Sequence, residues 1–460
     1  MLSMMSREIS MSIRDMSIDA RFEKIYISLV LGCFAAFGIL FAIVTPFNQA
    51  PDEAAHATYI ISLARTFTFP DATLTAGSRF RNRIQDPGVH NLKATLLEAL
   101  PSFHEQQEYM QDDRGFFQEF YQPPLYYMLA APVYALGSKI LDGAWYIPVR
   151  LLSLLWGLLT IFFIYLIAKK VFGAGFLALI IPTLAVSFPM VTYISGVINN
   201  DSLTNFLAAL IVFLGLIILN ASENDLSRYS VLAGFVMALA YLTKGSLFVF
   251  VAVLGVVIAV RIRSLRTGLR PLLLAVSIFL LMTAPWIVHN LFLYHDALGF
   301  SQIRPEFFPE QRATVLSAVS ATDWIKDVFQ SFVGTFGHLN IPLDSDIYSF
   351  FKILFVLGAF GFFTYLIRMH DAMHIHRKSF MLLGAALLFT LVELFVFNLR
   401  FYQPQGRYLF PALASITLFI GVGLFELLPS RFHASLLFSL FLTALFTNIA
   451  GLLSIISYTP

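Results

Sequence analysis

The chain has 460 residues, of which 58% are hydrophobic and 13% charged, with a mean hydropathy of +0.76. A soluble domain carries about 25% charged residues, so this composition excludes a soluble protein and predicts an all-α, polytopic membrane protein. The sequence has no run of charges suited to nucleic-acid binding, and the single cysteine, Cys33, excludes an intramolecular disulfide.

The chain begins with 24 residues of mixed charge, which we expect to form a short cytoplasmic lead. The apolar run that follows is too long for the core of a cleavable signal peptide. Residues 25–460 are expected to form a single transmembrane domain. Its apolar segments lie near 25–46, 148–168, 173–191, 202–220, 229–244, 246–260, 271–290, 350–367, 379–397, 408–428 and 434–457.

One further segment, 123–141, is apolar enough to cross the membrane, but it begins with Pro-Pro-Leu-Tyr-Tyr and contains Pro132. If it crossed, the basic clusters at 169–170, 261–270 and 368–378 would all move to the outside, against the positive-inside rule. We therefore predict about 11 spans, an interfacial helix at 123–141 and a cytoplasmic N-terminus in the inner (plasma) membrane.

In this topology the polar motifs fall on the outer face, within long loops at about 47–147 and 291–349 and at the outer ends of spans. A transporter is expected to place polar groups near the bilayer midplane and on both sides. The one-sided arrangement favours an enzyme that works at the outer surface of the membrane.

The stretch Asn48-Gln-Ala-Pro-Asp-Glu-Ala-Ala-His56 follows the first span directly. Charges there cost folding energy unless they face water or a substrate, so Asp52 and Glu53 are candidate catalytic residues. The start of a helix, with acidic residues in its first turn, explains Pro51, Asp52 and Glu53 equally well, and both interpretations stay open. His56 lies four residues after Asp52, on the same helical face, and is by itself better explained as a structural histidine.

Two cations are predicted on the same outer face. Lys244, in Leu-Thr-Lys-Gly-Ser, ends a span where positive charge is disfavoured, so an acid is expected to hold it. Arg407, in Gln405-Gly-Arg-Tyr, has the planar fork that suits phosphate. We expect both cations to share one outward cleft with Asp52, about 10–15 Å apart so that they reach both ends of a phosphosugar.

Two polar groups receive other interpretations. Asn199-Asn-Asp-Ser202 precedes an apolar run and is best explained as a helix cap. Glu393 is an acid inside a predicted span, and the sequence does not decide between a structural pair and a site residue.

Together these motifs resemble the polyprenyl-phosphate-dependent glycosyltransferases of the GT-C superfamily. The letters that carry the resemblance are Pro-Asp-Glu after the first span, Gln-Pro-Pro-Leu-Tyr-Tyr, Leu-Thr-Lys-Gly and Gln-Gly-Arg-Tyr. The chain is most similar to a bacterial integral membrane family within that superfamily, and aminoarabinose transferases and protein O-mannosyltransferases are more distant relatives. The order of these elements matches across most of the chain.

The resemblance implies that Asp52, with Glu53 beside it, is the catalytic base or orients the acceptor, and that Lys244 and, less directly, Arg407 bind the donor phosphate. Supporting candidates are His56, Tyr126, Gln405 and Arg400. The sequence differs from the aminoarabinose enzymes at two positions that concern phosphate binding. Ala55 and Gln122 stand where those enzymes have Arg and Lys. Arg150 or Arg400 is then a candidate replacement cation.

The sequence therefore predicts an inverting glycosyltransferase that moves a sugar from a polyprenyl-phosphate donor to a glycan, lipid or protein acceptor. A lipid-linked glycan polymerase, ligase or flippase is the alternative, and a non-catalytic partner subunit is a third hypothesis. No cofactor is predicted, and the sequence leaves open whether a divalent metal assists.

Overall fold

A computed structural model describes residues 18–69, 87–102, 118–141, 143–297, 321–368 and 373–458. Most of the expected cytoplasmic lead and large parts of both expected outer loops lie outside these residues. The helices are α1 (Ala20–Val44), α2 (Glu53–Thr66), α3 (Pro87–Ala99), α4 (Leu125–Ile140), α5 (Tyr146–Phe172), α6 (Phe176–Val186), α7 (Pro189–Ser195), α8 (Asp201–Leu219), α9 (Glu223–Tyr241), α10 (Phe248–Leu265), α11 (Arg270–Tyr294), α12 (Ala321–Gly334), α13 (Ser345–Arg368), α14 (Met373–Asn398), α15 (Leu413–Leu427) and α16 (His433–Tyr458). Short 3-10 turns at Gly245–Leu247, Gly406–Ala412 and Ser430–Phe432 precede α10, α15 and α16, and an antiparallel pair, β1 (Thr335–Phe336) with β2 (Ile341–Pro342), follows α12.

Within the described ranges, nine helices are long and apolar enough to cross a membrane, and the number rises to ten if α6 and α7 form one bent span. The protein is a multi-pass helical membrane protein. The expected count of about 11 is reached only by adding α9, which carries Glu223, Asp225 and Arg228 near its start. These charges lie at one end of a helix of 19 residues, which is about 29 Å long and matches a hydrocarbon core of about 30 Å.

The ambiguous segment 123–141 contains α4, a helix of 16 residues that is not among these nine. A span needs about 20 residues, so its length agrees with the expectation that it does not cross. The backbone N–H of Leu125 donates to the carbonyl of Leu242, 2.8 Å away, and ties the start of α4 to the end of α9.

The bend between α6 and α7 is 69°. Phe188 is extended at this break, as expected for a residue before a proline, and Pro189 then opens α7. The bend turns α7 and the residues after it back towards the start of α2, where Ile198 N–H donates to Glu53 Oε1 over 3.1 Å.

Helix α13 packs against α15 at a contact between glycines. A Cβ on Gly423 would overlap the backbone of Gly358, and a Cβ on Gly361 would overlap the backbone of Gly423. Small residues let membrane helices approach closely, which dispersion forces then stabilise.

Candidate active site

A cavity of about 370 Å³ lies between α2, α8, α14 and the turns that carry Lys244 and Arg407. Its charged lining residues are Asp52, Glu119, Asp201, Lys244, Glu393 and Arg407. Apolar and aromatic side chains complete the wall, among them Tyr241, Phe250, Leu394, Phe397 and Tyr408. The three residues expected in one cleft, Asp52, Lys244 and Arg407, therefore do line one cavity.

Asp52 is the residue that precedes α2, and its backbone is left-handed, with φ of 62°. Aspartate and asparagine tolerate this conformation better than most residues. Its Oδ2 accepts a hydrogen bond from Arg407 Nη2 at 2.7 Å, and its Oδ1 accepts one from Gln118 Nε2 at 2.9 Å. The expected separation of about 10–15 Å is wrong for this pair, since Asp52 and Arg407 are in direct contact.

Arg407 is held in place by the glycine before it. A Cβ on Gly406 would overlap the backbone of Phe332 in α12, so only glycine lets the turn approach this closely. The Gly406 N–H donates to Ser331 Oγ at 2.8 Å, and Arg407 Nε donates to Gln405 Oε1 at 2.6 Å. Gln405 and Gly406 therefore fix the orientation of the Arg407 guanidinium. The Arg407 side chain is 4% exposed.

Asp201, the first residue of α8, joins the two cations. Its Oδ1 lies 2.5 Å from Lys244 Nζ, and its Oδ2 lies 3.2 Å from Arg407 Nη1. The acid expected to hold Lys244 is thus Asp201. Two carboxylates and two cations form one chain, Lys244–Asp201–Arg407–Asp52, with no net formal charge.

The interpretation of residues 199–202 as a helix cap is right for Asn199 and incomplete for Asp201. Asn199 Oδ1 accepts from the N–H of Ser202 at 3.0 Å, as a cap does. Asp201 itself points to the cations and was missed. The signal for it in the sequence is the unexplained positive charge of Lys244, which requires an acid nearby.

Glu53 lies in a different environment from Asp52. Its side chain is fully buried and forms a two-bond ion pair with Arg150, at 2.8 Å to Nε and 2.7 Å to Nη2. It also accepts from the N–H of Asn48 at 2.9 Å and of Ile198 at 3.1 Å. Glu53 does not line the cavity, so its predicted share in catalysis finds no support in this geometry.

Arg150, considered as a phosphate ligand, is likewise committed elsewhere. Its remaining donors bond the carbonyls of Ala42, Thr45 and Pro46 at the end of α1. The Glu53–Arg150 pair therefore joins α1, α2 and α5 behind the cavity and fixes the start of α2, where Asp52 is placed.

His56 and Glu119 lie side by side in another part of the cavity wall. His56 Nδ1 shares a hydrogen bond with Tyr127 Oη at 2.9 Å and lies 3.8 Å from Glu119 Oε2. The Tyr127 ring stacks on Tyr59 with centroids 3.7 Å apart. Glu119 Oε2 is buried and has no hydrogen-bond partner among the described residues. Nothing in its loop sequence distinguishes Glu119 from the other loop acids.

Burial and neighbouring charges set the protonation of this wall. Burial lowers the pKa of His56 to about 4, so the imidazole is neutral at pH 7. Burial, with the charge of Asp52, raises the pKa of Glu119 to about 8. Burial alone would raise the pKa of Asp52, yet the charge and hydrogen bond of Arg407 hold it below its ordinary value.

The other supporting candidates do not line the cavity. Tyr126 is fully buried, and its hydroxyl pairs with Ser153 Oγ at 2.9 Å. Gln405 acts indirectly, through its bond to Arg407. Arg400 is exposed after the end of α14 and cannot replace the missing phosphate cation from there. Glu393, left open by the sequence, does line the cavity.

In the part of the chain that the structure describes, no three His, Cys, Asp or Glu side chains are grouped as metal ligands. The polar inventory of the cavity is instead carboxylates, two cations, amides and tyrosines. Such a set can bind an anion and accept a proton within one cavity.

This helical bundle, with its charged cavity between span ends, defines a multi-pass membrane protein of the GT-C-like fold. It is similar to ArnT from Cupriavidus metallidurans bound to undecaprenyl phosphate, with a TM-score of 0.54 and 15% identity over 96% of this chain and 78% of that one. It is also similar to the oligosaccharyltransferase of Archaeoglobus fulgidus in the apo form, with a TM-score of 0.51 and 15% identity over 95% of this chain and 57% of that one. At such identity the likeness shows the fold alone.

The family is shown by the sequence. Residues 34–416 match the family model described as "Predicted membrane protein (DUF2142)", and the chain belongs to this family. A comparison with curated protein sequences gives no match.

Proposed function

We propose that this protein is a membrane glycosyltransferase that moves a sugar from a polyprenyl phosphate to an acceptor hydroxyl. The observation that carries the proposal is the juxtaposition of Asp52 with Arg407 and Lys244 around one cavity of about 370 Å³. A base and an anion grip side by side are what a single displacement at a sugar phosphate requires. The likeness to ArnT, whose structure is bound to undecaprenyl phosphate, supports a lipid-phosphate donor.

The reaction is a one-step substitution at the anomeric carbon. The acceptor oxygen attacks that carbon as its proton passes to a carboxylate oxygen of Asp52. The bond between the anomeric carbon and the phosphate oxygen breaks, and its electron pair stays on the departing lipid phosphate. Attack opposite the leaving group inverts the anomeric configuration, unlike the retaining route that needs a second carboxylate as nucleophile.

Lys244 and Arg407 would stabilise the negative charge that develops on the departing phosphate. Both side chains are mostly withdrawn from water, at 19% and 4% exposed. Charge-assisted bonds are stronger in such a low-dielectric site than in water. Asp201 keeps the two cations aligned, so the grip is organised before the donor enters.

A flippase would need a cavity that strips and carries a charged lipid head across the membrane, with several lining arginines. Of the residues that the structure describes, Arg407 is the only arginine in the cavity lining. This favours transfer at one site over transport. We propose that the site lies at the outer face of the inner membrane. The positive-inside rule assigns the basic clusters to the cytoplasm, and the site residues are at the opposite ends of the spans.

The test compares envelope glycans and lipid-linked sugars by mass spectrometry in cells that carry the wild-type gene, Asp52→Asn or no gene. We expect one glycosylated product to disappear without the gene and its lipid-linked sugar donor to accumulate. Asp52→Asn keeps the shape of the side chain but cannot accept the proton, so transfer should fall by about 10²–10⁴. Gln118→Ala, which removes a cavity amide bonded to Asp52 but no proton acceptor, is the matched control and should be milder. A normal product level with Asp52→Asn would overturn the proposal.

A further inference from the structure

Both cations that line the described cavity are already bonded to protein groups. Lys244 Nζ contacts Asp201, and each of the three nitrogens of Arg407 has a partner, in Gln405, Asp201 and Asp52. A two-bond contact with phosphate uses one edge of the guanidinium fork. Three of the five N–H donors of this arginine are therefore engaged. A phosphate oxygen that binds where Asp52 or Asp201 now binds must replace that carboxylate.

The two carboxylates on Arg407 differ in how easily they can leave. Asp201 is 7% exposed and holds both cations, so its release would strand two charges out of water. Asp52 is 34% exposed and holds only Arg407 among the cations. The other carboxylate oxygen of Asp52, Oδ1, accepts from Gln118, and this bond does not depend on the bond between Asp52 and Arg407. The partner that exchanges is therefore Asp52.

We infer that Asp52 Oδ2 occupies the place on Arg407 that an oxygen of the donor phosphate takes, so that a bound donor displaces Asp52 and frees it as the base. This inference rests on the proposed function. While paired, Asp52 is a weak proton acceptor, because Arg407 holds its pKa below the ordinary value. Once the phosphate neutralises Arg407, the carboxylate recovers proton affinity beside the sugar that is to be attacked.

The inference predicts that Asp52 competes with lipid phosphate for Arg407. Undecaprenyl phosphate, which carries no sugar, is the probe, and its Kd is measured on the purified full-length protein. Asp52→Asn retains the left-handed backbone that asparagine tolerates and removes the competing charge. The Kd should fall about threefold to tenfold, the size expected for one partly exposed charge-assisted bond. Asp52→Gly, which also tolerates a positive φ, should change the Kd in the same direction.

Glu393→Gln is the matched control, because it removes a carboxyl from the same cavity lining without breaking a bond to Arg407. We expect a Kd within about twofold of wild type, because among the described residues Glu393 forms no ion pair with Arg407 or Lys244 that a phosphate would have to break. A Kd that falls as much with Glu393→Gln as with Asp52→Asn would overturn the displacement, since general charge would explain both.

Arg407→Gln and Lys244→Gln separate the inference from the proposed function. Both should raise the Kd for undecaprenyl phosphate by about tenfold or more, as the loss of a charge-assisted bond does. If they do so while Asp52→Asn and Asp52→Gly bind no tighter than wild type, the displacement is wrong and the glycosyltransferase proposal stands. If neither cation variant weakens binding, the phosphate site and the proposed function are both overturned.

Discussion

Asp52 and Glu53 are neighbours in sequence, yet their side chains lie in different environments at the start of α2. Asp52 precedes the helix with a left-handed backbone, and its carboxylate pairs with Arg407. Glu53 points into the bundle, to Arg150. Asp52 therefore lines the cavity and Glu53 is structural, a difference that their adjacent positions in the sequence do not reveal.

Glu53→Gln should lower stability more than it lowers the specific activity of folded protein. The change leaves the Arg150 charge buried without its carboxylate, and breaking a buried pair in this way costs about 3–5 kcal/mol. The measurement is the melting temperature of the purified protein in detergent. Replacing both partners by methionine should restore part of the loss, because no charge is then stranded. A Glu53→Gln protein with normal melting but no transfer would return Glu53 to the catalytic role.

His56 should make folding stability sensitive to acid. Its folded pKa of about 4 lies below the ordinary value of 6.5, so the unfolded chain binds the proton more readily. The stability is present above pH 6.5 and is lost as pH falls towards 4, by about 3 kcal/mol at 1.4 kcal/mol per unit. Melting temperatures of wild type and His56→Gln at pH 7 and 4.5 measure the difference.

The neighbour Glu119 has the opposite sign and provides the control. Its pKa is raised to about 8, so its contribution is present at acid pH and is lost as pH rises towards 8. Glu119→Gln should therefore remove a loss of stability that wild type shows as pH rises from about 4.5 to 8. A His56→Gln curve that parallels wild type between pH 7 and 4.5 would contradict the burial argument.

The sequence revealed the site residues that conflict with a membrane environment and missed those that agree with local structure. Asp52, Lys244 and Arg407 stand out because charges at span ends need a reason. Asp201 is hidden within a good helix-cap sequence, and Glu119 within a polar loop. Their roles depend on which distant cation they meet, and no local pattern encodes that partner.

At the scale of helices, the contact between α13 and α15 depends on glycine. Gly423→Ala should lower the melting temperature and the yield of folded protein, because the new Cβ overlaps the backbone of Gly358. Overpacking of this kind costs about 1–3 kcal/mol. Gly384→Ala, on α14, is the matched control, since a Cβ there meets nothing within 4 Å. Equal melting temperatures for the two variants would show that the α13–α15 contact yields without cost.

Most helices could be predicted from hydropathy, and the exceptions have physical reasons. The segment 173–191 was expected to be one span, but Pro189 forces Phe188 out of helical geometry and bends it into α6 and α7. The segment 229–244 extends backwards to Glu223, because Ser222 accepts from the N–H of Asp225 as a helix cap. Hydropathy locates apolar length, whereas caps and prolines set where helices begin and bend.

At the scale of the whole molecule, the topology predicts which surfaces meet the cytoplasm. Ser222 and Ser264 are exposed, at the start of α9 and the end of α10. Single cysteines there, in a chain with Cys33 replaced, should resist a membrane-impermeant thiol reagent added to intact spheroplasts. A cysteine at the exposed Ser345, at the start of α13, is the control and should react. Labelling of Ser222 and Ser264 but not Ser345 would mean that the 123–141 segment crosses.

The distance along the chain between the members of the charge cluster has a consequence for biogenesis. Asp201 and Lys244 are 43 residues apart, whereas Asp52 and Arg407 are 355 residues apart. Because a ribosome delivers the chain from its N-terminus, the first pair can form while later helices are still unmade. Asp52 cannot form its ion pair until Arg407 has been synthesised and the helices around it have been inserted. The Asp52 carboxylate is thus among the first residues inserted and among the last to receive its partner.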